Sequence, residues 1–121
     1  MAHRILVVDD DTSNLELARK ILGASGYDVL LAHDGREAIR VAVDTLPDLI
    51  LMDLSLPGIN GWEAVQQIRT KIQQPIPIVA VTAHAMAGDR EQALAAGCTE
   101  YLAKPYKPVE LRAKITSLLP A

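Results

Sequence analysis

Ile5-Leu-Val-Val-Asp-Asp-Asp11 sets an unbroken aliphatic run directly against three acids. A short apolar run without alternation reads as a strand buried on both faces, the pattern of a parallel sheet. Related stretches recur: Leu49-Ile-Leu-Met52 leads into Asp53, Ile78-Val-Ala-Val81 into Thr82, and Tyr101-Leu-Ala103 into Lys104. Strand ends on one edge of a parallel sheet converge in space, and open α/β sheets bind ligands outside those carboxyl ends. Asp9, Asp10, Asp53, Thr82 and Lys104 are therefore expected to share one pocket.

Helical periodicity fills the intervals between these runs. From Thr12 to about Ser25, Leu15, Ala18 and Leu22 fall on one face, Ser13 and Glu16 have the spacing of a capping box, and Gly26 ends the helix. After a strand over about 27–32, Asp34 and Glu37 cap a second helix that turns Ala38, Val41 and Ala42 inward until Pro47 stops it. Pro57-Gly58 reads as a turn, and Asn60 with Glu63 opens a third helix carrying Ala64, Val65, Ile68 and Ile72. Pro75 and Pro77 frame the next strand. A fourth helix, over roughly Met86 to Ala96, has a sparse apolar face and meets Gly97. The last helix starts at Pro108, aligns Leu111, Ile115 and Leu118, and stops by Pro120.

Five strands alternating with five helices predict an α/β fold, a three-layer (βα)5 doubly wound sandwich, with too few strands for an eight-stranded barrel. The flavodoxin-like parallel order 2-1-3-4-5 sets strands 1 and 3 side by side, which brings Asp9 and Asp10 next to Asp53.

At 121 residues, half of them hydrophobic and 22% charged, the chain suits one globular domain spanning 1–121. Cys98 is the only cysteine, so no intrachain disulfide is expected, and nothing ahead of Arg4 resembles a signal peptide, which makes the cytoplasm the expected compartment. No apolar run approaches the roughly 20 residues needed to cross a bilayer. The net charge of -3 and the dispersal of the 12 basic residues argue against a nucleic-acid surface.

Three acids meeting in one crevice repel one another unless a cation joins them. Oxygen ligands suit a hard ion such as Mg²⁺, with Mn²⁺ as a substitute, and Asp10 and Asp53 are the expected direct ligands with Asp9 in support. Lys104 and Thr82 supply an ammonium and a hydroxyl suited to phosphoryl oxygens. Asp53, ending the central strand, is then the candidate nucleophile for an aspartyl phosphate. Each residue also has a plain structural use: Asp10, Asp11 and Thr12 as helix caps, Asp53 as a loop cap, Thr82 as a strand former and Lys104 as a solvated loop residue. What weighs against that account is complementary chemistry at four separate strand ends.

The segments Val7-Val-Asp-Asp-Asp11, Met52-Asp-Leu-Ser-Leu-Pro-Gly-Ile-Asn-Gly61, Val81-Thr-Ala-His84 and Tyr101-Leu-Ala-Lys-Pro-Tyr106 together resemble the receiver domain of bacterial two-component response regulators, in its single-domain, chemotaxis-regulator-like form. The resemblance covers essentially the whole chain. It implies that Asp53 accepts a phosphoryl group from a sensor histidine kinase or phosphotransfer protein. It also implies that Asp10, Asp53 and the main-chain carbonyl of Ser55 hold Mg²⁺, with Asp9 supporting, and that Thr82 and Lys104 hold the phosphoryl oxygens. Tyr101 matches an aromatic switch position, and Lys104-Pro105 matches a peptide bond that is usually cis in the family. Thr82 and Tyr101 would relay phosphorylation to a surface made by helix 4, strand 5 and helix 5, read by a downstream protein target. A monomer is expected, with a phosphorylation-dependent dimer as an alternative. Ser55 and His84 are candidates for tuning the phosphoryl lifetime, Trp62 reads as packing and Cys98 as a small buried filler.

Other readings share parts of this pattern. An aspartate-nucleophile phosphatase would carry a second Asp two residues after the nucleophile, where this chain has Ser55. A flavodoxin-like carrier of flavin mononucleotide would need hydroxyls after strand 1, where Asp9-Asp-Asp11 repel phosphate. A binding module working without phosphorylation would have no use for the complete set of site residues. A phosphorelay intermediate, or the receiver part of a longer regulator or hybrid kinase, would use the same site.

Overall fold

In a computed structural model of the protein the aliphatic runs form five strands: β1 (Arg4–Val8), β2 (Asp28–Ala32), β3 (Leu49–Asp53), β4 (Ile78–Thr82) and β5 (Glu100–Ala103). The helices between and after them are α1 (Thr12–Ala24), α2 (Gly35–Thr45), α3 (Gly61–Lys71), α4 (Asp89–Ala95) and α5 (Pro108–Leu118). The structure describes residues 3–54, 56, 58, 61–82, 89–104 and 106–119. The expectations placed on Ser55, Pro57, Asn60, His84, Met86, Pro105 and Pro120 lie outside the described residues.

All strand pairs are parallel, in the order β2-β1-β3-β4-β5. Register aligns the carboxyl ends: Val8 pairs with Ala32 and Met52, Asp53 with Val81, and Thr82 with Ala103. Alternation along each strand splits the core into two layers. Leu6, Val8, Ile50, Met52 and Ala80 pack with α2 and α3 through residues such as Ala38, Ala42, Val65 and Ile68. Ile5, Val7, Leu51, Val79 and Val81 pack on the opposite face with Leu15 and Leu22 of α1 and Leu111 and Ile115 of α5. Leu111 and Ile115 are fully buried, and each such side chain contributes about 2 kcal/mol, which fixes α5 despite its few apolar positions. By contrast α4 gives no described side chain to either layer, and its Leu94 is 40% exposed.

The helix ends correct one expectation. No Ser13–Glu16 capping box forms at α1; the cap is Asp11, whose Oδ1 accepts from the backbone N–H of Ser13 (2.8 Å) and Asn14 (3.4 Å). Asp11 is already in extended geometry one step before the helix, and its carboxylate is a stronger acceptor than a hydroxyl. Glu16 instead pairs with Arg19 at 2.6 Å. Gly26 closes α1 at φ +91°, with its N–H donating to Gly23 and that of Tyr27 to Leu22, the paired bonds of a Schellman end. At α2 the Asp34 carboxylate accepts from Glu37 N–H (2.8 Å) and the Glu37 carboxylate from His33 N–H (2.9 Å). Pro108 starts α5, where the Glu110 carboxylate accepts from Lys107 N–H (2.8 Å), a cap not anticipated from the sequence.

Candidate functional site

Asp9, Asp53 and Thr82 are 6%, 4% and 5% exposed, and they are the buried polar side chains among the described residues. All three stand at the carboxyl edge of the sheet, Asp9 one residue past β1 and the others closing β3 and β4. A buried carboxylate is costly unless its charge is met. Lys104, one residue past β5, meets it: Nζ donates to Asp9 Oδ2 at 2.8 Å and to Asp53 Oδ2 at 3.3 Å. The other Asp9 oxygen accepts from Asp11 N–H at 2.9 Å. Burial opposes the charge on Lys104, but the hydrogen bond to Asp9 and the charges of Asp53 and Asp9 outweigh it, so its pKa stands above the ordinary lysine value.

Asp10 is exposed, yet carboxylate oxygens of Asp9, Asp10 and Asp53 all lie within 4.8 Å of one another. The donor set fits a hard divalent cation: it is all oxygen, drawn from three separate carboxylates, and open to water on the Asp10 side. Asp10 and Asp53 are thus together as expected, and Asp9 is drawn further into the site by its bond to Lys104. Ser55 and the Lys104-Pro105 peptide bond lie outside the described residues.

Tyr101 pairs in register with Ala80, and Thr82 with Ala103, so Tyr101 and Thr82 share one face of the sheet on adjacent strands. Tyr101 is partly buried against the α2/α3 layer, one step from Thr82 along that face. Trp62 is partly buried on the same layer, and Cys98 is buried in it, where burial pushes the thiol up to about 11. Both fill space, as read from the sequence.

Two site neighbours went unassigned in the sequence. Gly61 starts α3 against the backbone of β3: a Cβ there would lie 2.6 Å from Leu54 Cα and overlap the Asp53 carbonyl oxygen. The signal was a glycine at a helix start, where it is no helix former. Tyr106 is half-buried on the α1/α5 face; burial raises its pKa, Lys104 opposes the rise, and the charges of Asp9 and Asp53 add to it. Its trace in the sequence was an aromatic closing the Tyr101-Leu-Ala-Lys-Pro-Tyr106 segment, two residues after the site lysine.

The family model for the response regulator receiver domain matches residues 5–116. The chain is 40% identical over 119 residues to the uncharacterized transcriptional regulatory protein YrkP of Bacillus subtilis (strain 168), covering 98% of this chain but 50% of that relative. It is 39% identical over 106 residues to the polar-differentiation response regulator DivK of Brucella anthropi, covering 87% and 86%. Among solved structures, the receiver domain of the sensor histidine kinase PA1611 from Pseudomonas aeruginosa PAO1, described with a magnesium ion coordinated in its active site cleft, superposes with a TM-score of 0.89 at 39% identity over 98% of both chains. The chain therefore spans half the length of one curated relative and most of another.

Proposed function

We propose, from the premise that this chain belongs to the response regulator receiver domain family, that Asp53 is its phosphoacceptor and that residues 1–121 act as one receiver unit. Receiver domains are signalling domains that bind Mg²⁺ at an acidic pocket and take their phosphoryl group from histidine kinases or phosphotransfer proteins. The observation that carries the assignment is the convergence of Asp53 with Asp9, Asp10 and Lys104 at one sheet edge.

In this reading an Asp53 carboxylate oxygen attacks phosphorus of a phosphohistidine; the new O–P bond forms as the P–N bond breaks, and the electron pair leaves on the imidazole nitrogen. Lys104 already stands 3.3 Å from Asp53 Oδ2, placed to follow the negative charge onto a phosphoryl oxygen. Thr82 closes the neighbouring strand, where its hydroxyl can donate to a second oxygen. Asp10 and Asp53, with Asp9 and the Ser55 carbonyl, are the residues to hold Mg²⁺. Bound there, that ion neutralises charge developing on the transferring group. Phosphorylation adds roughly one and a half to two negative charges, drawing Thr82 and Lys104 inward. Tyr101, on the same face as Thr82, then follows, and the surface of α4, β5 and α5 shifts its population toward a form that a partner reads.

The test is incubation with Mg²⁺ and acetyl phosphate, read by intact mass. One added phosphoryl group is expected, acid-stable and base-labile, absent from Asp53→Asn and abolished by chelation. No adduct on the native chain, or one that survives Asp53→Asn, overturns the assignment. A second reading, a receiver working within a longer regulator or a phosphorelay, is favoured by the half-length match to YrkP and the likeness to a sensor kinase's receiver. Transfer onward from Asp53 to a phosphotransfer protein's histidine would distinguish it.

A further inference from the structure

Arg69, in the last turn of α3, holds together three parts of the amino edge of the sheet. Its Nε donates to Gly97 O (2.9 Å), Nη1 to Ile76 O (2.5 Å) and Nη2 to Thr99 Oγ1 (3.3 Å). The Thr99 hydroxyl also accepts from Ile78 N–H (3.1 Å), while Thr99 N–H donates to Ile78 O (2.7 Å). One side chain thus joins α3, the approach to β4 and the turn from α4 into β5. Its partners are all neutral oxygens. Burial pushes the guanidinium below its ordinary pKa, with Cys98 opposing, yet arginine's rigid fork of donors lets it stay charged in such a setting.

The turn it grips is itself constrained. Gly97 adopts φ +113° just past α4, a left-handed end that favours glycine, and a Cβ there would come within 3.3 Å of Arg69 Cγ and 3.5 Å of Val65 Cγ1. α4 has no basic residue in its own last turn, so Arg69 supplies from α3 the cation that suits a helix carboxyl end. The parallel topology fixes which end this is: α4 follows the carboxyl end of β4, where Thr82 stands, and returns to the amino end of β5.

We propose that Arg69 is a positioning residue that makes Gly97 the pivot of α4, so that a pull on Thr82 swings the amino end of the helix while its carboxyl end stays pinned. The inference rests on the phosphoryl-driven reading above. Seven residues at 1.5 Å each give a lever of about 10 Å, so a turn of about 10° about Gly97 moves the amino end by about 2 Å and the carboxyl end hardly at all.

Amide hydrogen exchange on the whole chain tests it, metal-free and again with Mg²⁺ and beryllofluoride as a phosphoryl mimic. In the native protein, exchange over 89–93 is expected to change at least threefold on adding the mimic, and over 96–100 by less than 1.5-fold, roughly measurement scatter. In Arg69→Gln, exchange over 96–100 is expected to rise at least tenfold without ligand, roughly the loss of one local closing contact, and the response to the mimic to spread into it. Arg69→Lys, which keeps the charge but not the fork, should fall between. A native protein whose 96–100 segment responds as strongly as 89–93, or an Arg69→Gln protein within about twofold of native there, overturns the pivot. If Arg69→Gln does not fold, the native comparison alone decides. Acetyl phosphate separates the two readings: a native chain that takes no phosphoryl group overturns the function, and the metal-free exchange of Arg69→Gln still decides the pin.

Discussion

Two partly buried cations, Lys104 at the carboxyl edge of the sheet and Arg69 at the amino edge, solve the same problem in opposite ways. Lys104 is held by the carboxylates of Asp9 and Asp53, and its pKa rises; Arg69 is held by two carbonyls and a hydroxyl, and its pKa falls. Charges that neutralise one another can be redistributed when a metal ion or a phosphoryl group arrives, because each newcomer changes the balance by a whole charge. Hydrogen bonds to neutral oxygens offer no such exchange. The difference separates an edge whose charges can be rebalanced from an edge held by neutral partners, and α4 runs between them.

The sharpest way to break the carboxyl edge without touching a charge is Gly61→Ala. The added Cβ overlaps the backbone of Asp53 and Leu54, and rigid strand backbone cannot yield as a side-chain tip does. A loss of about 3 kcal/mol or more is expected in chemical denaturation, with reduced phosphoryl uptake because Asp53 is displaced. A variant of native stability would show that α3 packs on β3 less tightly than this contact requires.

Next in size is the response to metal. Mg²⁺ at about 100 times its Kd should add about 2.7 kcal/mol to the unfolding free energy of the native chain, and chelation should remove it. Asp10→Asn and Asp53→Asn should lose most of that increment, whereas Arg69→Gln should keep it. If Arg69→Gln lost it too, the two edges would not be independent.

Alkaline pH tests both edges together. Cys98, near Arg69, has its thiol raised to about 11, and the raised values of Lys104 and Tyr106 act in the same direction. A folded pKa above the unfolded one means that the folded state keeps its proton longer, so stability is complete below the unfolded value and falls as pH rises toward the folded one. For Cys98 that window opens near pH 9 and the loss reaches about 2 kcal/mol by pH 10.5. Denaturation midpoints at pH 7.5 and 10.5 should converge partly in Cys98→Ala; an unchanged difference would show that the Cys98 thiol contributes nothing to the alkaline loss.

The smallest effect has the opposite sign. Gly23, inside α1, has nothing within 4 Å of an added Cβ, so Gly23→Ala should stabilise by about 0.5 kcal/mol through the unfolded chain. The same substitution would then separate an open glycine from the one wedged beneath Asp53.

Much of this was legible in the chain. Unbroken aliphatic runs gave the parallel sheet because strands covered on both faces need no polar alternation, and the acids, Thr82 and Lys104 fell at strand ends because the runs stop there. The Asp34 cap, the Gly26 end of α1 and the thin apolar face of α4 could be read locally as well. The cap of α1 could not be settled that way: Asp11 and Ser13 both qualify by residue type, and only the backbone geometry at Asp11 selects between them. Gly61 and Arg69 look ordinary in the sequence, one a glycine among turn residues and the other a basic residue on an amphipathic helix.

The sequence by itself determined the order and kind of the elements and which reactive side chains reach the carboxyl edge, since periodicity and strand ends are local properties. Tertiary structure alone decided which side chains meet: at the carboxyl edge Lys104 with Asp9 across 95 residues and with Asp53 across 51, and at the amino edge Arg69 with Gly97 across 28. No repeat along the chain encodes such pairs. They follow from strand register and from the requirement that every charge taken into the interior find a partner.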